Sequence, residues 1–271
     1  MTLPEFSIEG ASAIVTGASR GIGKGIALVL AEAGVDVCVA ARSEGPLNDV
    51  AAQVRALGRK CVAVPTDITK EQDVDRMVRR AIDALGAVDI LVNNAGIAVV
   101  KPMVPLPGFS PSGAEELPNF FEPTSVAEWD QVLDTNLKGA FLCMRAVGPH
   151  MIQRGRGKVI TISSVNAVKA ARYRFSYDVS KAGLAQLTRS MAVEWARYKI
   201  NVNAIGAGWV QTELNELLMR DQRQRNRLLA EVPLRRFATE REVALLTAYL
   251  ASSAADYLTG QTIFLDGGIL A

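Results

Sequence analysis

Short runs of β-branched and apolar residues recur along the chain and alternate with longer stretches whose apolar positions fall at helical spacing. Ser12–Thr16, Val35–Ala40, Cys61–Val64, Ile90–Asn93, Val159–Ser163, Val202–Ile205 and Thr262–Leu265 each read as a buried strand. Between the third and fourth, Val74, Met77, Val78, Ala81 and Ile82 form a helical stripe. This alternation predicts an α/β fold: a doubly wound, seven-stranded parallel sheet with helices on both faces. Neither an internal repeat nor a linker divides the sequence, so residues 1–271 read as one domain. Ligands of such sheets bind outside the carboxyl ends of the strands, where the strand order reverses.

One segment breaks the rhythm. Val100–Thr124 holds six prolines and two glycines, a spacing through which neither a helix nor a long strand can run. Met103, Leu106, Phe109, Leu117, Phe120 and Phe121 give this insertion apolar side chains to bury. We expect a wall or partial lid over the ligand pocket; a surface or subunit-contact embellishment is the alternative.

Composition narrows the function. The chain is 49% hydrophobic and 21% charged, and 30 Lys+Arg against 28 Asp+Glu give a net charge of +2. That balance argues against nucleic-acid binding. No apolar run approaches the ~18–20 residues of a membrane span, and MTLPEFSIEG lacks the basic start of a secretory signal. Three widely spaced cysteines, Cys38, Cys61 and Cys143, fit a reducing compartment, so a cytoplasmic protein is expected. The single histidine, His150, excludes a His-rich zinc site, and no metal is expected. No G-x-S-x-G elbow exists to partner it in a hydrolase. His150 itself reads as a surface residue at a helix C-terminus, where positive charge is tolerated.

The candidate chemistry lies just after the strands. Thr16-Gly17-Ala18-Ser19-Arg20-Gly21-Ile22-Gly23 joins the first strand to a helix through Ile26, Ala27 and Leu30. Gly17 permits a tight turn, and Gly21 and Gly23 let a phosphate approach a helix N-terminus, whose free N–H groups favour an anion. The chain resembles the short-chain dehydrogenase/reductase family at this T-G-x-x-x-G-x-G turn. Further matches follow at Asn93-Asn94-Ala95-Gly96, Asn136, Ser164, Tyr177-x-x-x-Lys181, Gly260-Gln261 and Asp266-Gly267-Gly268. Among members of the family, it resembles 3-oxoacyl-carrier-protein reductases and gluconate 5-dehydrogenase-like enzymes. The resemblance implies a Rossmann-type fold and assigns Gly17, Ser19, Arg20, Gly21, Ile22 and Gly23 to the cofactor. It adds Asp67 and Ile68 near adenine, Asn94 near the ribose, and Val210 and Thr212 near the nicotinamide. Asp67 reads equally well as a helix cap ahead of Thr69. Ala207 stands where the family usually has proline, which predicts a freer backbone there.

The second strand ends Ala40-Ala41-Arg42, with no carboxylate to accept from ribose hydroxyls. Arg42 and Arg20 therefore point to the 2′-phosphate of NADP(H).

Tyr177 and Lys181, four apart on a helix over about Arg174–Tyr198, share one face. A lysine cation ~4 Å away at an effective dielectric of ~20 contributes ~4 kcal/mol, enough to lower a tyrosine pKa by about 3 units. Tyr177 thus reads as the proton donor to a nascent alkoxide or acceptor from an alcohol. Ser164, 13 residues before Tyr177, would hold the substrate oxygen; Ser163 faces the other way by strand alternation. By resemblance, Lys181 also holds the nicotinamide ribose, as Tyr177 borders the cofactor, and Asn136 anchors a water that leads protons toward Lys181. A helix-interior amide bonding backbone is the plainer account of Asn136.

These residues lead us to expect an NADP(H)-dependent oxidoreductase that interconverts a small-molecule ketone or aldehyde and an alcohol. A dinucleotide-binding regulator without turnover, or an NAD-linked sugar-acid or polyol dehydrogenase, is the alternative. The resemblance also implies a homotetramer, with Phe141, Leu184, Leu187 and Trp195 either at subunit contacts or facing the sheet.

Overall fold

The computed structural model describes residues 3–105, 122–212 and 222–271. Its strands are β1 (Ser12–Thr16), β2 (Asp36–Ala41), β3 (Cys61–Pro65), β4 (Ile90–Asn93), β5 (Gly157–Ser164), β6 (Ile200–Ala207) and β7 (Thr262–Leu265). All pair in parallel in the order β3-β2-β1-β4-β5-β6-β7. The expected doubly wound α/β fold is the one observed. β5 and β6 run longer than their apolar runs; at the start of β6, Asn201 Nδ2 donates to Asp256 O and Leu258 O (2.9 Å each). Asn203, buried in β6, donates to Leu258 O (2.8 Å) and accepts from Gln261 N–H (3.1 Å). β2 starts at Asp36, one residue later than the apolar run, and that carboxylate takes Arg59 and the Lys60 amide.

Helices α1 (Gly21–Glu32), α2 (Glu44–Ala56), α3 (Glu71–Leu85), α4 (Val126–Leu133), α5 (Gly139–Arg154), α6 (Phe175–Trp195), α7 (Gln222–Ala230) and α8 (Glu240–Ala251) accompany the sheet. Their apolar stripes divide between its two faces. On one face Ile26 and Leu30 of α1, Leu47 and Val54 of α2, and Val243 and Leu250 of α8 are buried. On the other are Met77 of α3, Met144 and Val147 of α5, and Trp195 of α6. Each such side chain contributes about 1.5–3 kcal/mol by leaving water. The faces exchange between β1 and β4, so the carboxyl ends of these two strands border the crevice. Among the described residues, no helix is long and apolar enough to cross a membrane.

Between α4 and α5, Asp134–Lys138 widens into a π-helix where an uninterrupted α-helix is expected around Asn136. The insertion is visible at its two ends. Lys101 N–H donates to Tyr173 O (2.9 Å), Thr124 N–H donates to Pro102 O (2.8 Å), and Lys101 Nζ lies 2.6 Å from Glu128 Oε1. Met103 is exposed. Leu106, Phe109, Leu117, Phe120 and Phe121 lie outside the described residues, and the expected wall or lid lies there with them. Leu184 and Trp195 are buried in the chain's own core, whereas Phe141 is exposed.

His150 departs from expectation. α5 continues to Arg154, so His150 lies inside the last turns, half-buried, and its Nε2 accepts from Val88 N–H at 3.1 Å. An accepting nitrogen is unprotonated, so the ring is neutral rather than a tolerated charge. Burial, reinforced by Arg154 and opposed by Asp89, holds its pKa below the usual value. The unfolded chain therefore binds the His150 proton more tightly, and the stability it contributes is present above about pH 6.5 and lost as pH falls below that. Urea unfolding between pH 7.5 and 5.5 should show the wild type losing midpoint concentration more steeply than His150→Gln. Parallel pH profiles would contradict this account of the ring.

Candidate active site

At the end of β1 the backbone enters a left-handed turn, with φ of +64° at Gly17 and +59° at Gly21. A methyl group on Gly23 would lie 2.3 Å from Gly17 O and 2.4 Å from Asn94 Nδ2, so α1 can approach the turn only with glycine there. Asn94 Nδ2 donates to Thr16 O (2.9 Å) and Gly17 O (3.2 Å). In return Thr16 Oγ1 donates to Val92 O (3.2 Å) and accepts from Asn94 N–H (3.1 Å) and Ala95 N–H (3.2 Å). α1 starts with Arg20 as N-cap and no side-chain cap, leaving first-turn N–H groups for an anion. Ser19 and Ile22 lie half-buried in the same turn. This cradle fits the diphosphate of a dinucleotide.

Ala18 N–H donates to Ala40 O (3.2 Å), which sets the glycine turn beside the end of β2 and the exposed Arg42. Neither Arg42 nor the exposed Arg20 has an ion-pair partner among the described residues, and the pair fits a phosphate on the ribose. Asp67 does not cap a helix at Thr69. α3 begins at Glu71, and Asp67 Oδ1 accepts from the Thr69 N–H (3.1 Å) and hydroxyl (2.8 Å) in a local turn. Ile68 is buried, and only glycine at position 139 leaves room for it. Ala207 is paired on both sides, with Ser164 of β5 and Leu265 of β7. The sheet therefore fixes the backbone that the missing proline was expected to loosen. Val210 is buried and bridges to Ala238, and Thr212 lies beside Gly21.

Ser164 is the last residue of β5; its Oγ accepts from Asn166 N–H (3.1 Å) and is close enough to the Tyr177 hydroxyl to favour its charged form. Ser163 donates to Lys181 O (3.2 Å) on the opposite side of the strand, as alternation requires. On α6, Lys181 is buried, its Nζ donating to Ile162 O (2.8 Å) and lying 5.5 Å from the Tyr177 ring centroid. Burial lowers the Lys181 pKa to about 8. The Tyr177 pKa is raised, not lowered as expected. Loss of water outweighs the other effects at the phenol, and the ammonium is turned toward a carbonyl rather than the hydroxyl. The Ser164 hydroxyl and the charge of Arg174 pull the tyrosine down, while Asp178 pushes it up.

Asn136 sits in the π-helix, buried, and uses its whole amide. Its Oδ1 accepts from Ile97 N–H (2.8 Å), and its Nδ2 donates to Ile97 O (2.9 Å) and Ser180 Oγ (2.9 Å). Ser180 Oγ in turn donates to Tyr177 O (2.7 Å). Asn136 thus ties the chain leaving β4 to the helix that carries Tyr177.

Sequence reasoning missed two residues here. Asp178 accepts from Asn166 Nδ2 (2.6 Å) and Ala171 N–H (2.9 Å), pinning the loop after Ser164. Its only sequence signal is an acid in a first helical turn. Arg174 lies over the Trp209 ring, 5.2 Å from its centroid, a contact between segments far apart in sequence.

Against known proteins, a family model described as enoyl-(acyl carrier protein) reductase matches residues 17–270. The 3-oxoacyl-(acyl-carrier-protein) reductase FabG of Staphylococcus epidermidis is 36% identical over 95% of this chain and 98% of its own. The 2-dehydro-3-deoxy-D-gluconate 5-dehydrogenase of Escherichia coli is 36% identical over 100% of both chains. A solved short-chain type dehydrogenase/reductase from Mycobacterium marinum superimposes with a TM-score of 0.86 at 35% identity, covering 99% of this chain and 98% of that one. A protein provisionally described as 2-deoxy-D-gluconate 3-dehydrogenase from Agrobacterium tumefaciens, solved with bound NADP, does so with a TM-score of 0.85 at 33% identity, covering 99% of each chain. Likeness of this extent in sequence and in fold places the chain in the short-chain dehydrogenase/reductase family, as an oxidoreductase acting between a carbonyl and an alcohol.

Proposed function

We propose that this oxidoreductase uses NADP(H), that Ser164, Tyr177 and Lys181 perform its chemistry, and that its substrate is a small oxo or hydroxy acid of the sugar-acid type. The observation that carries the reading is the grouping of Ser164, at the end of β5, with Tyr177 and the buried Lys181 on α6, the ammonium 5.5 Å from the tyrosine ring. This group stands at the same sheet edge as the glycine cradle. Names among the relatives and neighbours support the substrate class, and a cofactor turn flanked by Arg20 and Arg42 supports NADP(H).

When bound, NADP(H) supplies or accepts the hydride. Gly17, Ser19, Gly21, Ile22 and Gly23 would hold its diphosphate, Arg20 and Arg42 its ribose phosphate, Asp67 and Ile68 its adenine end, and Asn94, Val210 and Thr212 the other. Ser164 Oγ donates to the substrate oxygen and holds it against Tyr177. A pKa held above the usual value keeps the Tyr177 hydroxyl protonated at neutral pH, ready to donate to an alkoxide in reduction. Lys181, with a pKa of about 8, is mostly charged at neutral pH and stabilises the phenolate left behind. Asn136 is a positioning residue. A regulator without turnover has no need of Ser164, Tyr177 and Lys181 together.

We also propose that residues 1–271 form one cytoplasmic domain assembling as a homotetramer. Exposed Phe141 on α5, and Val179 and Val193 on α6, support subunit contacts on these helices.

Tyr177→Phe should leave the NADPH dissociation constant within about twofold and lower kcat for ketone reduction by at least about 100-fold, the span of a lost general acid. Activity within tenfold of wild type would remove Tyr177 from this role. For cofactor choice, Ala41→Asp with Arg42→Ala should move the kcat/KM preference from NADPH toward NADH, since a carboxylate repels the 2′-phosphate. A wild type that already prefers NADH overturns the reading of both arginines. Light scattering at micromolar concentration should give the mass of four chains, and a monomer mass would refute the assembly.

A further inference from the structure

The stretch between Ser164 and Tyr177 carries a cation that the reaction itself does not use. Arg174 is the last residue before α6, one turn ahead of Tyr177, and it is half-buried. Its guanidinium lies 5.2 Å from the ring centroid of Trp209, which follows the carboxyl end of β6. Three surroundings fix the place of this group. The Lys101 N–H bond to Tyr173 O (2.9 Å) holds the residue before it, and Trp129 stacks on Phe175, the residue after it, at 5.7 Å. Trp209 is itself held in a short pairing, in which Ala238 N–H donates to Trp209 O (2.9 Å).

No carboxylate pairs with Arg174 among the described residues. The nearest acid in sequence, Asp178, is already engaged by Asn166 and Ala171. Arg174 is nonetheless close enough for its charge to act on the Tyr177 hydroxyl, the group a substrate oxygen must touch. A half-buried guanidinium with an aromatic platform and no counter-ion among the described residues is a ready partner for an incoming anion.

We infer that Arg174, oriented by Trp209, is the specificity-determining residue that receives the carboxylate of the substrate. The inference rests on the sugar-acid reading above and gives it a residue. Arg174 takes no part in proton or hydride transfer. It holds one end of an oxo acid while Ser164 and Tyr177 hold the carbonyl at the other, and the span between them selects the chain length.

The test compares matched acids and neutral esters as substrates for NADPH oxidation: acetoacetate and ethyl acetoacetate, levulinate and ethyl levulinate, 5-keto-D-gluconate and its methyl ester. The readout is the acid-over-ester ratio of kcat/KM. The wild type should favour the acid in at least one pair. Arg174→Gln should collapse that ratio by about 10- to 100-fold, chiefly through KM of the acid, the range expected for a charge-assisted contact. Arg174→Lys should recover part of it, and Trp209→Leu should lose part. Unchanged circular dichroism and NADPH affinity show that the variants fold. A wild type favouring acids whose preference survives in Arg174→Gln overturns the role of Arg174 and leaves the sugar-acid reading standing. A wild type that favours esters in every pair overturns the sugar-acid reading, and this inference with it.

Discussion

Everything at the carboxyl edge of the sheet depends on how the ends of β1 and β4 are held where the helices part to opposite faces. There the carbonyls of Thr16 and Gly17 have run past the ladder, and the Asn94 side chain supplies the donors they lack, while Thr16 returns bonds to the β4 side. Two strand ends that would otherwise fray become one rigid corner. The same Asn94 nitrogen lies where any side chain on residue 23 would have to go. Cofactor cradle and sheet corner are thus one construction, and neither can be altered without the other.

On the other side of the crevice the dominant physical effect is loss of water. Burial pushes Tyr177 toward its neutral form and draws Lys181 down to about 8, so each ionisable group resists the charge its role requires. Charge on Tyr177 is helped by Ser164 and by Arg174, one turn earlier in the chain. The pairwise lysine–tyrosine argument, calculated for two groups in a uniform medium, omitted the desolvation that outweighs it here. The family's reaction survives this correction, because a protonated tyrosine is the form that reduction consumes.

The order and number of strands are legible in the sequence because a buried parallel strand is an apolar run of four to eight residues bounded by turns. Gly17, Ser164, Tyr177 and Lys181 are legible for a related reason: each depends on spacing within one or two adjacent elements. What escapes is whatever depends on contacts between distant segments. The ring state of His150 is set by Val88, some sixty residues earlier. Asn136 lies in a π-helix that no propensity marks, and its partners Ile97 and Ser180 belong to two other segments. Arg174 marks only a helix boundary in the sequence, and its contact with Trp209 follows from where β6 ends. The ends of β2 and β6 shift for the same reason, since Asp36 and Asn201 find partners elsewhere.

The neck of the insertion carries a consequence for descent. Lys101 and Thr124 are clasped through Pro102, Tyr173 and Glu128, so the two points where the extra segment leaves and rejoins the fold are fixed independently of what lies between. Closing a longer segment across a fixed gap adds only a logarithmic cost in chain entropy. Gain, loss or exchange of residues at this neck therefore adds little to the cost of folding. Lineages built on this fold can diversify here by whole-segment replacement, leaving the catalytic helix and the cofactor corner under their own separate selection.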